Sequence, residues 1–242
     1  MHYAVIAAGE GSRLVKEGVT RPKPLVEVNG TPLVKRLIDI FMRCGAESVS
    51  IIINEHMPAV QQYLDTLQLP VPLNVVVKTT PSSMHSFYEL SKVIPRGKFC
   101  LTTVDTIFKE DDFARYIAAF ESDERHDGMW AVTPFVDDEK PLYVEVDEQM
   151  NITGFHDRHT EGVHLVSGGI YAMTSKVFPV LEYCVDNGLS RMRNFQRALV
   201  ENGFHLQAFC IDKIIDVDHA GDIAAAQRFI TPSSDKTHYS TT

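Results

Sequence analysis

The segment Tyr3-Ala4-Val5-Ile6-Ala7-Ala8-Gly9-Glu10-Gly11-Ser12-Arg13 runs from an apolar stretch straight into a glycine loop. A short apolar run that stops at glycine reads as a buried strand of a parallel sheet. The loop then lies at the carboxyl edge of the sheet, where open α/β folds bind ligands. Gly9 and Gly11 allow close backbone approach, and successive N–H groups there can cradle phosphate oxygens. No Walker lysine and no third glycine follow. Arg13 comes instead, and then Arg21-Pro22-Lys23-Pro24-Leu25. The two prolines are expected to prevent a helix through Lys23 and hold it in an extended loop. Arg13, Arg21 and Lys23 together form a cation cluster suited to a polyphosphate.

Working outward, strand-like and helix-like segments alternate. Leu33, Val34, Leu37, Ile38 and Phe41 recur at helical spacing after Pro32, with Gly45 as the stop. Val49–Ile53, Leu73–Val77 and Phe99–Val104 read as strands, and 58–67 as a helix. Phe87, Leu90 and Ile94 share one helix face, and Asp111 or Asp112 is placed to cap a helix carrying Phe113, Tyr116, Ile117 and Phe120. Repeated strand–helix units predict an α/β fold with a doubly wound, mostly parallel sheet. From Gly128 to about residue 172, short strands around the turn Gln149-Met150-Asn151 predict a small antiparallel insertion. Further helices are expected over 175–187, 193–202 and 220–230. Residues 1–230 read as a single domain and 231–242 as a disordered polar tail.

Composition narrows the function classes. The 242 residues are 44% hydrophobic and 23% charged, an ordinary globular balance. A net charge of -9 argues against a nucleic-acid surface, so an anionic ligand must be held by local cations. No apolar stretch approaches the roughly 18 to 20 residues of a membrane helix, so no membrane partner and a cytoplasmic location are expected. Cys44, Cys100, Cys184 and Cys210 are scattered without a CxxC pair and read as buried reduced thiols.

Together, Ala7-Ala8-Gly9-Glu10-Gly11-Ser12-Arg13-Leu14 and Arg21-Pro22-Lys23-Pro24-Leu25-Val26 resemble the signature of the sugar-phosphate nucleotidylyltransferases, the NDP-sugar pyrophosphorylase and MobA-like NTP transferase superfamily. The resemblance covers roughly residues 1 to 230. It implies a Rossmann-like nucleotide-diphospho-sugar transferase fold and transfer of NMP from an NTP to a sugar 1-phosphate or phospho-alcohol, with release of pyrophosphate. On it, Arg13 contacts phosphate oxygens and Lys23 sits at the α-phosphate, as the catalytic pair. Ala7, Ala8, Gly9, Gly11, Ser12 and Ser83 contact the nucleotide. Asp157 and Arg158 stand where the family has Glu-Lys and bind the acceptor, together with Gly169 of Ser167-Gly168-Gly169-Ile170-Tyr171. A β-bulge is the equal alternative for that glycine pair. An N-cap role is at least as fitting for Ser82 or Ser83. Arg191 and Arg193 could reach the acceptor or simply start a solvated helix.

The same resemblance implies Mg²⁺ held by Asp105, after the strand Phe99–Val104, and by Asp216. Asp218 is a weaker claimant that could cap the final helix. Mg²⁺ prefers one or two carboxylates, with water and phosphate completing its shell. A phosphate monoester is largely dianionic near neutral pH, so its attack needs no general base. Family members carry Gly-Asp where this chain has Val104-Asp105, and the stretch from Thr79 to Ser86 lacks the family's glycines. Two other functions stay open on these residues: a catalytically silent nucleotide-binding regulatory domain, and a glycosyltransferase using Asp216-Val217-Asp218.

Overall fold

The computed structural model describes residues 1–136 and 140–231. Thirteen strands and eight helices are formed among them: β1 (His2–Ala7), α1 (Ser12–Lys16), β2 (Glu27–Val28), β3 (Thr31–Pro32), α2 (Leu33–Arg43), β4 (Ser48–Ile53), α3 (Pro58–Asp65), β5 (Leu73–Val77), α4 (Ser83–Ser91), β6 (Lys98–Thr103), β7 (Thr106–Ile107), α5 (Glu110–Ser122), β8 (Gly128–Thr133), β9 (Tyr143–Val146), β10 (Ile152–His156), β11 (Leu165–Thr174), α6 (Phe178–Asp186), α7 (Met192–Glu201), β12 (Leu206–Cys210), β13 (Ile215–Asp216) and α8 (Ala220–Ile230).

Alternation along β1 sets the layers. Tyr3, Val5 and Ala7 enter one core, and Ala4, Ile6 and Ala8 the other, because successive side chains of a strand point to opposite faces. The first core takes apolar residues from α2, α3, α5 and α8. The second takes those of α4, α6 and α7. Helices thus cover both faces, as a doubly wound sheet requires. The strand order is β10-β9-β11-β6-β1-β4-β5, with β1 parallel to β4 and β6 and β4 parallel to β5. The expected antiparallel portion is present: β11 runs antiparallel to β6, β8 and β9, and β9 pairs antiparallel with β10. β12 closes the far side of β8 in parallel.

Several local expectations are corrected. Lys23–Leu25 forms a 3-10 turn, not an extended loop, because proline is tolerated in the first turn of a helix, where its missing N–H is not needed. Arg13 lies on the single-turn helix α1, with Gly11 in the left-handed conformation just before it. Lys109 stands at the N-cap of α5, and Asp111 and Asp112 fall in its first turn, where carboxylates favour the helix dipole. Ile94 lies beyond α4. Cys210 is exposed on β12, whereas Cys100 and Cys184 are buried. The tail expectation falls on residues 232–242, outside the described residues, and no described helix is long and apolar enough to cross a membrane.

Candidate active site

The cleft is built at the carboxyl ends of β1 and β6. Parallel pairing sets Ile6 beside Thr103, and the Val104 N–H donates to the Ile6 carbonyl oxygen (3.0 Å), so the Gly9–Gly11 loop and Asp105 emerge side by side. A two-residue antiparallel ladder then recruits the end of the chain: β13 pairs with β7, Asp216 opposite Thr106, and the Val217 N–H donates to the Asp105 carbonyl oxygen (3.1 Å). This ladder delivers Asp216 and Asp218 to Asp105.

Lys23 stands at the centre. Its side chain is only 8% exposed, and its Nζ donates to Asp105 Oδ2 and to Asp218 Oδ1, the latter at 2.6 Å. Asp218 Oδ2 accepts from Arg13 Nη1 at 2.8 Å. Gly11 makes this packing possible. It takes φ +62°, and a Cβ there would lie 3.1 Å from the Lys23 Cβ. Burial works against the Lys23 charge, but the Asp105 and Asp218 carboxylates outweigh it and leave its ammonium above the usual lysine range. Burial likewise pushes the Asp218 carboxyl up, yet the Lys23 hydrogen bond and the Lys23 and Arg13 charges leave it below the usual aspartate value. Asp218 does not cap α8. His219 and Asp222 form that capping box, and the Asp222 carboxylate accepts the Asp218 N–H at 3.0 Å. Glu17, just after α1, fastens the same corner by accepting from the Ala220 N–H and contacting His219 Nδ1, each at 2.6 Å.

Three lobes meet at these acids. Gly9, Gly11, Ser12, Arg13, Lys23 and Ser83 line one, with Asp105 and Asp218. A second holds Arg13, Gly168, Asp216 and Asp218. The third holds Asp105 and Asp216 with Gly169, Lys140, Arg191 and Arg193. Ala7 and Ala8 are buried in the two cores beneath and do not line the first lobe. Arg21 leaves the expected cation cluster to pair with Glu27. Ser82, not Ser83, precedes α4, and its Oγ lies 2.9 Å from His85 Nδ1.

The expected Asp157–Arg158 pair lies in the bend just after β10, and its two members differ in surroundings. The Asp157 carboxylate accepts from Arg193 and from Arg197, the latter at 2.8 Å, and these hydrogen bonds hold it below the usual aspartate value. Arg158 is exposed and lines none of the three lobes. The cations that do line the third lobe are Lys140, Arg191 and Arg193. Arg191 has φ +71°, a costly conformation for a side-chain-bearing residue at a cavity wall. The bulge reading of the glycine pair is met, since β11 shifts register against β8 between Ser167 and Tyr171, and Gly169, with φ +73°, lines the third lobe. Gln196, 1% exposed, also lines it, and its Oε1 has no hydrogen-bond partner among the described residues. Its position on the apolar side of α7 gave no sequence signal. Asn54 was likewise unforeseen: buried after β4, it bonds the Ala8 carbonyl oxygen (3.4 Å), the His56 N–H (2.9 Å) and Thr79 Oγ1 (3.1 Å) beside the glycine loop.

Comparison with known proteins gives the family and the fold. The profile of the MobA-like NTP transferase domain matches residues 3–201. The chain belongs to the MobA-like NTP transferase family. This MobA-like chain is 22% identical over 220 residues to a D-glycero-alpha-D-manno-heptose 1-phosphate guanylyltransferase of Campylobacter jejuni, covering 90% of this chain and 94% of that one. It is 26% identical over 111 residues to a 2-aminoethylphosphonate cytidylyltransferase of Lancefieldella rimae, an alignment spanning 44% of each. In fold it resembles the inositol-1-phosphate CTP transferase of T. maritima, with TM-score 0.78, 22% identity and coverage of 95% of this chain and 97% of that one. A UDP-glucose pyrophosphorylase of Acinetobacter baumanii superposes with TM-score 0.77 at 15% identity, over 93% of this chain and 91% of that one. The Rossmann-like NDP-sugar transferase fold of the MobA-like chain is thereby shown. Its relatives are nucleotidyltransferases acting on sugar phosphates and phosphoalcohols.

Proposed function

We propose that this chain transfers NMP from an NTP to a phosphorylated small-molecule acceptor, a sugar 1-phosphate or phospho-alcohol, and releases pyrophosphate. The observation that carries the reading is Lys23: a buried ammonium gathered with Asp105, Asp218 and Arg13 at the carboxyl edge of β1 and β6. The chemistry brings two anions together and neutralises the charge that develops on the departing pyrophosphate. Lys23 faces the α-phosphate, and Arg13, 46% exposed at the mouth, holds the leaving oxygens. Ser12, Ser83 and the Gly9–Gly11 loop frame the nucleotide. The acceptor occupies the third lobe. There Arg193 is oriented by Asp157, and Arg191 and Lys140 add charge for its phosphate beside Gly169. The dianionic acceptor oxygen is itself the nucleophile.

Asp105 and Asp216 face one lobe, and Asp105 and Asp218 share one ammonium. Among the described residues no group of three or more His, Cys, Asp or Glu could hold a metal ion. Mg²⁺ asks for only one or two carboxylates, with water and phosphate completing its shell. Asp105 and Asp216 would hold it, and when bound it supplies neutralisation of phosphate charge. The test crosses the four NTPs with a panel of sugar 1-phosphates and phospho-alcohols and reads pyrophosphate. Release that requires both substrates is expected in some combination. Nucleotide binding without release in every combination would instead mark a silent regulatory domain.

A further inference from the structure

A second cavity, away from the cleft, opens between α2, the segment joining β7 to α5, and the end of α8. Arg36, Phe108, Lys109, Asp111 and Arg228 are among the residues that line it. Arg36 is 7% exposed. Its Nη2 donates to the Phe108 carbonyl oxygen (2.5 Å) and its guanidinium lies over the Phe108 ring, 5.2 Å from the centroid. Its Nη1 has no hydrogen-bond partner among the described residues, and no carboxylate there lies within ion-pair distance of it. Glu110, whose charge acts on Arg36 and which also lines the cavity, is already paired with Arg43 at 2.8 Å. Burial accordingly pulls the Arg36 guanidinium down to about 10.

A buried cation without a counter-charge is costly unless something supplies one. Lys109 and Arg228, which also lack ion-pair partners among the described residues, bring two more positive charges to the same cavity. The N-terminus of the thirteen-residue helix α5 lines the same cavity, and of the acids in its first turn Glu110 pairs with Arg43 and Asp112 with Arg115. Against these stands one uncommitted acid, Asp111. We propose that this cavity is a binding site for a small phosphate-type dianion, separate from the catalytic cleft. The positive excess favours a doubly charged tetrahedral group over a monovalent carboxylate.

The site is tested by calorimetric titration of inorganic phosphate, at constant ionic strength, into the Arg13→Ala/Lys23→Ala/Arg193→Ala protein, in which the nucleotide and acceptor lobes both lose cations. Saturable binding is expected. Arg228→Ala and Lys109→Ala, neither of which lines the cleft, should each weaken it about ten-fold, the loss of one charge-assisted contact. Asp111→Asn should strengthen it. These three positions are exposed at the rim, so the result does not depend on an Arg36 variant, which would release the Phe108 carbonyl. No saturable binding, or an affinity indifferent to both rim cations, overturns the proposal.

Discussion

Replacing Lys23 by Met keeps the aliphatic stem packed against Gly11 while removing the ammonium that Asp105 and Asp218 share. Breaking a fully buried pair costs about 3–5 kcal/mol, and an exposed one about 0–1 kcal/mol. Lys23 is 8%, Asp105 19% and Asp218 38% exposed, so solvent screening places the loss between these limits, at about 2 kcal/mol. In a domain of this size about 2–4 °C of Tm accompany each kcal/mol, giving a fall of about 4–8 °C near neutral pH. The pH dependence carries the sharper test. In the wild type, the Asp218 carboxyl is depressed, so its contribution is present above the ordinary aspartate pKa and lost as pH falls through the native value. The raised Lys23 ammonium contributes fully below the ordinary lysine pKa and is lost as pH rises through its native value. In Lys23→Met two carboxylates face each other without their shared cation, and like charge raises the proton affinity of one. Its penalty must therefore shrink on acidification from about pH 7.5 to about 4.5. Adding Asp105→Asn should recover most of the lost stability at pH 7.5. Thermal melts of the three proteins at both pH values measure this. An unchanged Tm at pH 7.5, or a deficit that grows with acid, would refute the electrostatic account of the cleft.

Asp105→Ala should abolish Mg²⁺-dependent pyrophosphate release while the protein stays folded by circular dichroism; full turnover would remove Asp105 from the site. Arg193→Ala should raise the KM for the acceptor about ten-fold or more and leave the KM for the NTP unchanged, which steady-state kinetics with each substrate varied will show. Arg158→Ala, exposed and outside the three lobes, should change neither KM. Tyr116→Phe removes a buried hydroxyl that donates to the Met129 carbonyl oxygen and accepts the Ala172 N–H, each at 2.6 Å, and should cost about 1–3 kcal/mol in urea unfolding with no effect on KM.

The parallel half of the sheet was legible because β1, β4, β5 and β6 are short and mostly apolar, as strands of a sheet covered by helices are. The turn at Gly11 was legible because glycine enters the left-handed conformation freely, whereas the 3-10 turn at Lys23 was not, because proline is tolerated in a first helical turn as well as in extended chain. Asp218 was misjudged for a physical reason: β13 is two residues long, too short for a periodic pattern, so nothing local showed that it pairs with β7 and delivers the acid to Lys23. Arg158 looked equivalent to Asp157 in sequence, but it stands exposed in the bend after β10 while the Asp157 carboxylate turns to Arg193 and Arg197. Arg193 was undervalued because a cation at a helix start looks solvated until Asp157, 36 positions earlier, is seen holding it. Arg36 read as one polar position on an amphipathic helix, and only the fold shows it buried without a counter-charge.

The central claim is attack at the α-phosphate with pyrophosphate as leaving group. Mass spectrometry of the products formed from an NTP and a phosphorylated acceptor, with wild-type and Lys23→Met protein in parallel, tests it most directly. The geometry predicts a nucleoside diphosphoryl conjugate and equimolar pyrophosphate from the wild type, with both lost together in the variant. Formation of nucleoside diphosphate and inorganic phosphate instead, or undiminished conjugate in Lys23→Met, would contradict it.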